Sequence, residues 1–146
     1  MSKSKHQAIV TAIAALFIVA PALANGRVFE GRSYALPIGS ASQIQVFIED
    51  STPEAEIITG APVDWTTQIT VLIKARRSAS ESAEVVADAV WVDAYARVMA
   101  DQALGGLVML LTLGDITRDR DEADTDVAAI TWRFAVTHRT DSNVIS

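Results

Sequence analysis

The sequence predicts one α+β domain, a mostly antiparallel or mixed sheet of four to five strands packed by two main helices. Three observations carry that prediction. Apolar residues recur at spacings of three and four over residues 8–20 and 80–102, the period of helices packed along one side. They alternate with polar residues over 43–49, 65–76 and 125–139, the period of strands with one buried face. The chain has 146 residues, 50% of them apolar and 21% charged, which suffices for one core and argues for a single domain over 1–146.

The first helix is expected within residues 1–24. Ser2 or Ser4 can cap its start, Ile9, Ile13, Leu16 and Ala20 follow at helical spacing, and Pro21 and Asn25-Gly26 stop it. The same residues have the grammar of a secretory signal: Lys3 and Lys5, an apolar run, then Ala22-Leu23-Ala24. The run over 8–20 is too short for the ~20 apolar residues that span a bilayer. Because the segment leads directly into Arg27-Val28-Phe29-Glu30, where a short strand begins, a retained helix is the preferred reading. The alternative is an exported bacterial α+β binding protein with a cleaved signal peptide 1–24.

Further along, Ile44, Val46 and Ile48 share one face of a half-buried strand. Asp50-Ser51-Thr52-Pro53-Glu54 and Gly60-Ala61-Pro62 are turn-rich, so a loop is expected there, with a short edge strand at 56–59. Trp65, Thr67, Ile69, Val71, Ile73 and Ala75 alternate with polar neighbours and predict a long strand. Residues 78–82 then supply caps for a second helix over 80–102, in which Val85, Ala89, Val92, Ala96 and Met99 form an apolar stripe. Trp91, Tyr95 and Val98 widen that stripe on an adjoining face. The helix is therefore expected to lie against the sheet and also to touch a neighbouring element or subunit, which makes Trp91 and Tyr95 interface candidates, with plain core as the alternative.

Gly105-Gly106 ends the helix, residues 107–113 are apolar, and 115–120 turn alternating and polar, as in a strand leaving the core. The last strand sets Ala128, Ile130, Trp132, Phe134 and Val136 on one face and pairs antiparallel with its predecessor across a short charged connection.

The chemical inventory is thin. Cysteine is absent and histidine occurs twice, as His6 and His138, which removes thiolate chemistry and leaves little for acid/base or metal work. A net charge of −6 disfavours nucleic acid binding. The acidic residues Asp119, Asp121, Glu122, Asp124 and Asp126 lack the Gly and Glu of an EF-hand loop and are interrupted by Arg118 and Arg120, the pattern of a solvated hairpin tip or of interface ion pairs. Gly105-Gly106 lacks the Lys-Ser/Thr of a phosphate loop. No nucleophile motif is present, so neither an enzyme nor a cofactor or metal is expected. The long polar excursions, 51–64 and 118–126, are where partners are expected to bind.

The arrangement resembles the tail-terminator proteins (minor tail or tail-completion proteins) of long-tailed bacteriophages. The resemblance spans most of the chain and is carried by the Ala-rich first helix, Gly26-Arg27-Val28-Phe29 with Leu36-Pro37 downstream, and Ile44-Gln45-Val46-Phe47-Ile48. It continues through the strand 68–76, the helix 80–102 and the closing Trp132-Arg133-Phe134-Ala135-Val136-Thr137-His138-Arg139-Thr140. Its specificity lies in order and spacing, since each piece alone occurs in many small domains. The resemblance implies a ring, a hexamer, that caps the tail tube and joins it to the head connector or neck protein. It implies a place at the head-proximal end of the virion tail, with assembly in the host cytoplasm. Phage DNA would pass through the lumen unbound, past an acidic bore of roughly −36 if the charges of six copies add. The resemblance implies no membrane partner. Arg118, Asp119, Arg120, Asp121, Glu122 and Asp124, with Trp91 and Tyr95, are the interface candidates.

Overall fold

The computed structural model describes residues 3–32, 35–53, 60–120 and 126–141. Its centre is β3 (Val63–Arg76), the long alternating segment, flanked antiparallel by β2 (Ser42–Pro53) and β5 (Val127–Thr140). The short β1 (Val28–Glu30) runs parallel to β2, and β4 (Leu110–Arg120) closes the far side antiparallel to β5. The order β1-β2-β3-β5-β4 is a five-stranded mixed sheet, as the alternating segments predict. Period-two patterning sets the register: Ile44, Ile73 and Ile130 lie abreast, as do Val46, Val71 and Trp132, and Ile48, Ile69 and Phe134.

Both helices pack on that apolar face. In α1 (Lys5–Ile18) the Ser4 hydroxyl accepts from Gln7 N–H, and Ile9, Val10, Ile13, Ala14 and Phe17 are buried, mainly over β1 and β2. Each large side chain among them stabilises the fold by about 1.5–3 kcal/mol through burial. The helix ends at Ile18, short of the expected 24, and a 3-10 turn follows at Leu23–Gly26. The side chain that meets the exposed carbonyls comes from elsewhere. Arg97 donates to the carbonyls of Leu16 at 2.9 Å, Phe17 at 3.3 Å and Val19 at 2.9 Å, and also to that of Pro21.

The second helix, α2 (Ala83–Ala100), is capped by the Ser82 hydroxyl and lies over β3 and β5. Its orientation departs from the expected one. The residues turned to the sheet are Ala83, Ala87, Ala94 and Val98, while Val85, Ala89, Val92 and Ala96 of the expected stripe face outward. Small alanines let the helix approach the sheet closely enough for the wide Trp91, Tyr95 and Trp132 rings to fit along its flank. A helix with apolar residues on more than one side offers two usable stripes, and packing of the aromatic rings selects one.

Two strand expectations also change. Residues 50–53, read as a turn, continue β2 after an irregularity between Ile48 and Asp50, because the long β3 offers partners as far as Trp65. β4 begins at Leu110 and is a largely exposed edge strand, where a strand leaving the core was expected. Its register slips between Leu113 and Ile116. At Gly114 a Cβ would stand 2.8 Å from the Arg133 carbonyl oxygen, so the bulge depends on glycine. The expected edge strand at 56–59 lies outside the described residues.

Among the described residues, no helix lies on the opposite face of the sheet. At its β2 side the chain after β1 crosses it: Gln45 Nε2 donates to the carbonyls of Gly31 and Arg32, which buries Gln43 and Gln45 with their polar groups paired.

Candidate interaction surface

Of the tip residues expected to meet partners, the structure describes Arg118, Asp119 and Arg120, the last three of β4. Asp121, Glu122 and Asp124 lie outside the described residues. Register alternation turns Arg118 and Arg120 to the helix side and Asp119 to the other. Arg118 pairs with Asp88 at 2.9 Å and stands over the Trp91 ring at 5.7 Å, and Arg120 pairs with Glu84 at 2.9 Å. These exposed pairs contribute little individually, roughly 0–1 kcal/mol, but they pin the end of β4 to the start of α2. Between them lies a hollow of about 310 Å³ lined by Glu84, Ala87, Arg118, Arg120 and Ile130. The Glu84 carboxyl is held below its ordinary range by its own backbone N–H and then by Arg120.

Trp91 and Tyr95 are half-buried in an aromatic cluster with Trp132, at centroid distances of 6.4 and 5.6 Å. They form the margin of the core beside β4 more than a free surface. Next to them, the helix side of β4 continues with Leu113 and Ile116, which remain 47% and 38% exposed. The helices cover β1, β2, β3 and β5, and the fifth strand keeps an apolar face open beside α2. Val85 and Val92 on the outer side of α2 and Ile18 and Val19 at the end of α1 are also about half exposed or more. Among the described residues, then, most of the large apolar side chains that folding leaves uncovered lie along α2, on and just before β4, and at the end of α1, with Ile38 exposed apart from them.

The two histidines, far apart in sequence, meet in space. His138 is fully buried on β5, its Nε2 2.8 Å from Thr67 Oγ1, and Thr67 in turn meets Ser51. The His6 ring of α1 lies edge-on at 4.6 Å from His138 and 4.9 Å from Trp65. Burial pushes His138 down to about 4, with the neighbouring charges of His6 and Lys5 adding to the effect, and burial lowers His6 as well. The cluster docks the start of α1 on the sheet. Asp64 and Arg139 form a bidentate pair beside it at 2.7 and 3.1 Å, which holds Asp64 below its ordinary range. Among the described residues no group of three or more His, Asp or Glu is placed to hold a metal ion, and no helix is long and apolar enough to cross a membrane.

No family model matches the chain, and no curated protein matches it. Among solved structures, one described as the virion of a native gene transfer agent particle is similar. The two share 14% identity and a TM-score of 0.48, over 94% of this chain and 92% of that one.

The sequence pointed to the ends of β4 and α2 as an interaction region but missed the histidine contact and the outward stripe. Alternation gave the face on which His138 sits. That His6 would land on the same face depends on how α1 docks, which no local signal encodes.

Proposed function

We propose that this chain is a non-enzymatic structural subunit of a phage virion. It would form a ring, a homohexamer, that caps the tail tube at its head-proximal end and offers its other face to the head connector or neck protein. It would assemble in the host cytoplasm, with DNA passing through the lumen without specific binding. The observation that carries the reading is α1. The segment with the grammar of an export signal supplies Ile9, Ile13 and Phe17, all fully buried, to the core. Its C-terminal carbonyls are held by Arg97 of α2. Removing it would uncover the β1–β2 half of the sheet, so the helix–strands–helix–strands order that underlies the tail-terminator resemblance is an integral property of the fold. The uncovered apolar surface on α2, β4 and α1 supports assembly, because a small monomer rarely leaves such a surface in water.

Native mass spectrometry and electron micrographs of the purified full chain test this reading. Six copies of a 15.6 kDa chain, about 94 kDa in a closed ring, are expected, with Met1–Ala24 retained in the intact mass. A chain that stays monomeric at every concentration, or one that loses its first 24 residues on export, would overturn it.

A further inference from the structure

We propose that the β4 edge of one copy receives the α1–β1 edge of a second copy, so that the ring is closed by a head-to-tail contact between the two opposite edges of the sheet. The proposal rests on the ring reading and names the surfaces that make it. The sheet has five strands and its two helices cover four, which leaves Leu113 and Ile116 half-open beside Trp91 and Tyr95. That step between the flank of α2 and the fifth strand is one strand wide, about 4.8 Å, room for apolar side chains from the edge of another copy. Away from β4, the end of α1 presents Ile18 and Val19, 49% and 63% exposed, outside the core it helps to build, with Val19 beside Arg97 and Asp101 of α2. One copy's surplus apolar helix end thus meets the other copy's uncovered strand.

Charge selects this pairing over its rivals. Around the β4 edge, Glu84, Asp88, Asp115 and Asp119 outnumber Arg118, Arg120 and Arg133 among the described residues. Around the α1–β1 edge, Lys3, Arg27 and Arg32 outnumber Glu30 and Glu49. Two β4 edges brought together would face acid with acid, and the Gly114 bulge interrupts the strand that such a pair would need. Acidic against basic is complementary, and it is heterologous, the kind of contact that generates a ring where an isologous one stops at a dimer.

The test uses two variants of the full chain, each altered at residues already half-exposed: L113E/I116E, which blocks the β4 edge, and I18E/V19E, which blocks the α1 edge. Circular dichroism and thermal melts confirm that each is folded. Each variant alone is expected to be monomeric by light scattering, and an equimolar mixture is expected to give a one-to-one heterodimer and nothing larger, since one intact β4 edge and one intact α1 edge remain. If the wild type forms a ring and either variant forms it equally well, the edge assignment is overturned and the ring reading stands. Folded variants that stay monomeric when mixed also overturn the edge pairing. A wild type that is monomeric throughout overturns both. Should a variant fail to fold, Ile116→Cys and Val19→Cys serve in its place, because the chain has no cysteine of its own. Under oxidation the double variant is expected to give a ladder of covalent multimers, with neither single variant giving a dimer. A dimer from I116C alone, or no ladder from the pair, would again defeat the pairing.

Discussion

His138 shows how a single residue ties the docking of an element to solution conditions. Its ring is fully buried, with Thr67 on Nε2, His6 edge-on and the Lys5 ammonium nearby, and none of these is an anion that would favour the imidazolium. Folding therefore disfavours the protonated form: the pKa is about 4 in the fold against 6.5 in the open chain. Above pH 6.5 both states are neutral and the contact is fully available. As pH falls from 6.5 towards 4 the unfolded chain takes up a proton that the fold refuses, and stability drops; below about 4 both are charged and the loss levels off. The expected loss between pH 7 and pH 5 is about 2 kcal/mol, because one proton held by the unfolded chain alone costs the fold about 1.4 kcal/mol for each pH step of one below 6.5. Urea midpoints at those two pH values measure it. His138→Phe should flatten the slope, whatever it does to absolute stability, and an unchanged slope in that variant would show that other groups carry the pH dependence.

At the scale of elements, α1 depends on a side chain from α2. The last carbonyls of a helix have no partner within it, and here the Arg97 guanidinium collects those of Leu16, Phe17 and Val19 and the following Pro21. Charge-assisted bonds of this kind contribute about 1.5–3 kcal/mol each before solvent screening, and the partial exposure of Arg97 brings the group to about 2 kcal/mol. Arg97→Met should lower the melting temperature by about 5 °C, and Arg97→Lys should recover little, since one ammonium cannot span four carbonyls. Hydrogen exchange localised to α1 would separate loss of this cap from a general loss of stability; uniform exchange across the sheet would contradict it. The strands were legible because alternation is a local property: β3 and β5 fall within two residues of the segments that predict them. The existence of both helices was legible for the same reason. Their faces were not. α2 carries apolar residues on more than one side, so Val85-Ala89-Val92-Ala96 and Ala87-Ala94-Val98 were both available stripes until the Trp91 and Trp132 rings chose between them. Trp91 and Tyr95 were expected to touch a neighbouring element or subunit, with plain core as the alternative, and within this chain the ring they meet is Trp132. The cap from Arg97 joins residues about 80 apart, a distance at which periodicity carries no information.

For the whole molecule, the opposing electrostatic effects act over different distances, and salt separates them. Each chain carries −6, and a hexamer would carry roughly −36, so the copies repel one another as bodies even though their edges are complementary. At 0.01 M salt the Debye length is about 30 Å, on the order of a subunit's width, and the repulsion among copies is only weakly screened. At 0.15 M it is about 8 Å, which screens that repulsion but leaves charges in contact across an edge largely intact. At 1 M it is about 3 Å, and the pairing of Lys3, Arg27 and Arg32 with the carboxylates around β4 is weakened too. Assembly should therefore be strongest near 0.15 M and weaker at both extremes, with the apolar contact of Ile18 and Val19 on Leu113 and Ile116 keeping some association at 1 M. Sedimentation of the full chain across that range at fixed concentration reads the balance directly. Assembly that only strengthens with salt would mean that apolar contact and relief of repulsion suffice, and that the opposite charge of the two edges does not hold the copies together. Assembly that only weakens would mean that contact between unlike charges outweighs the net −6 even at 0.01 M.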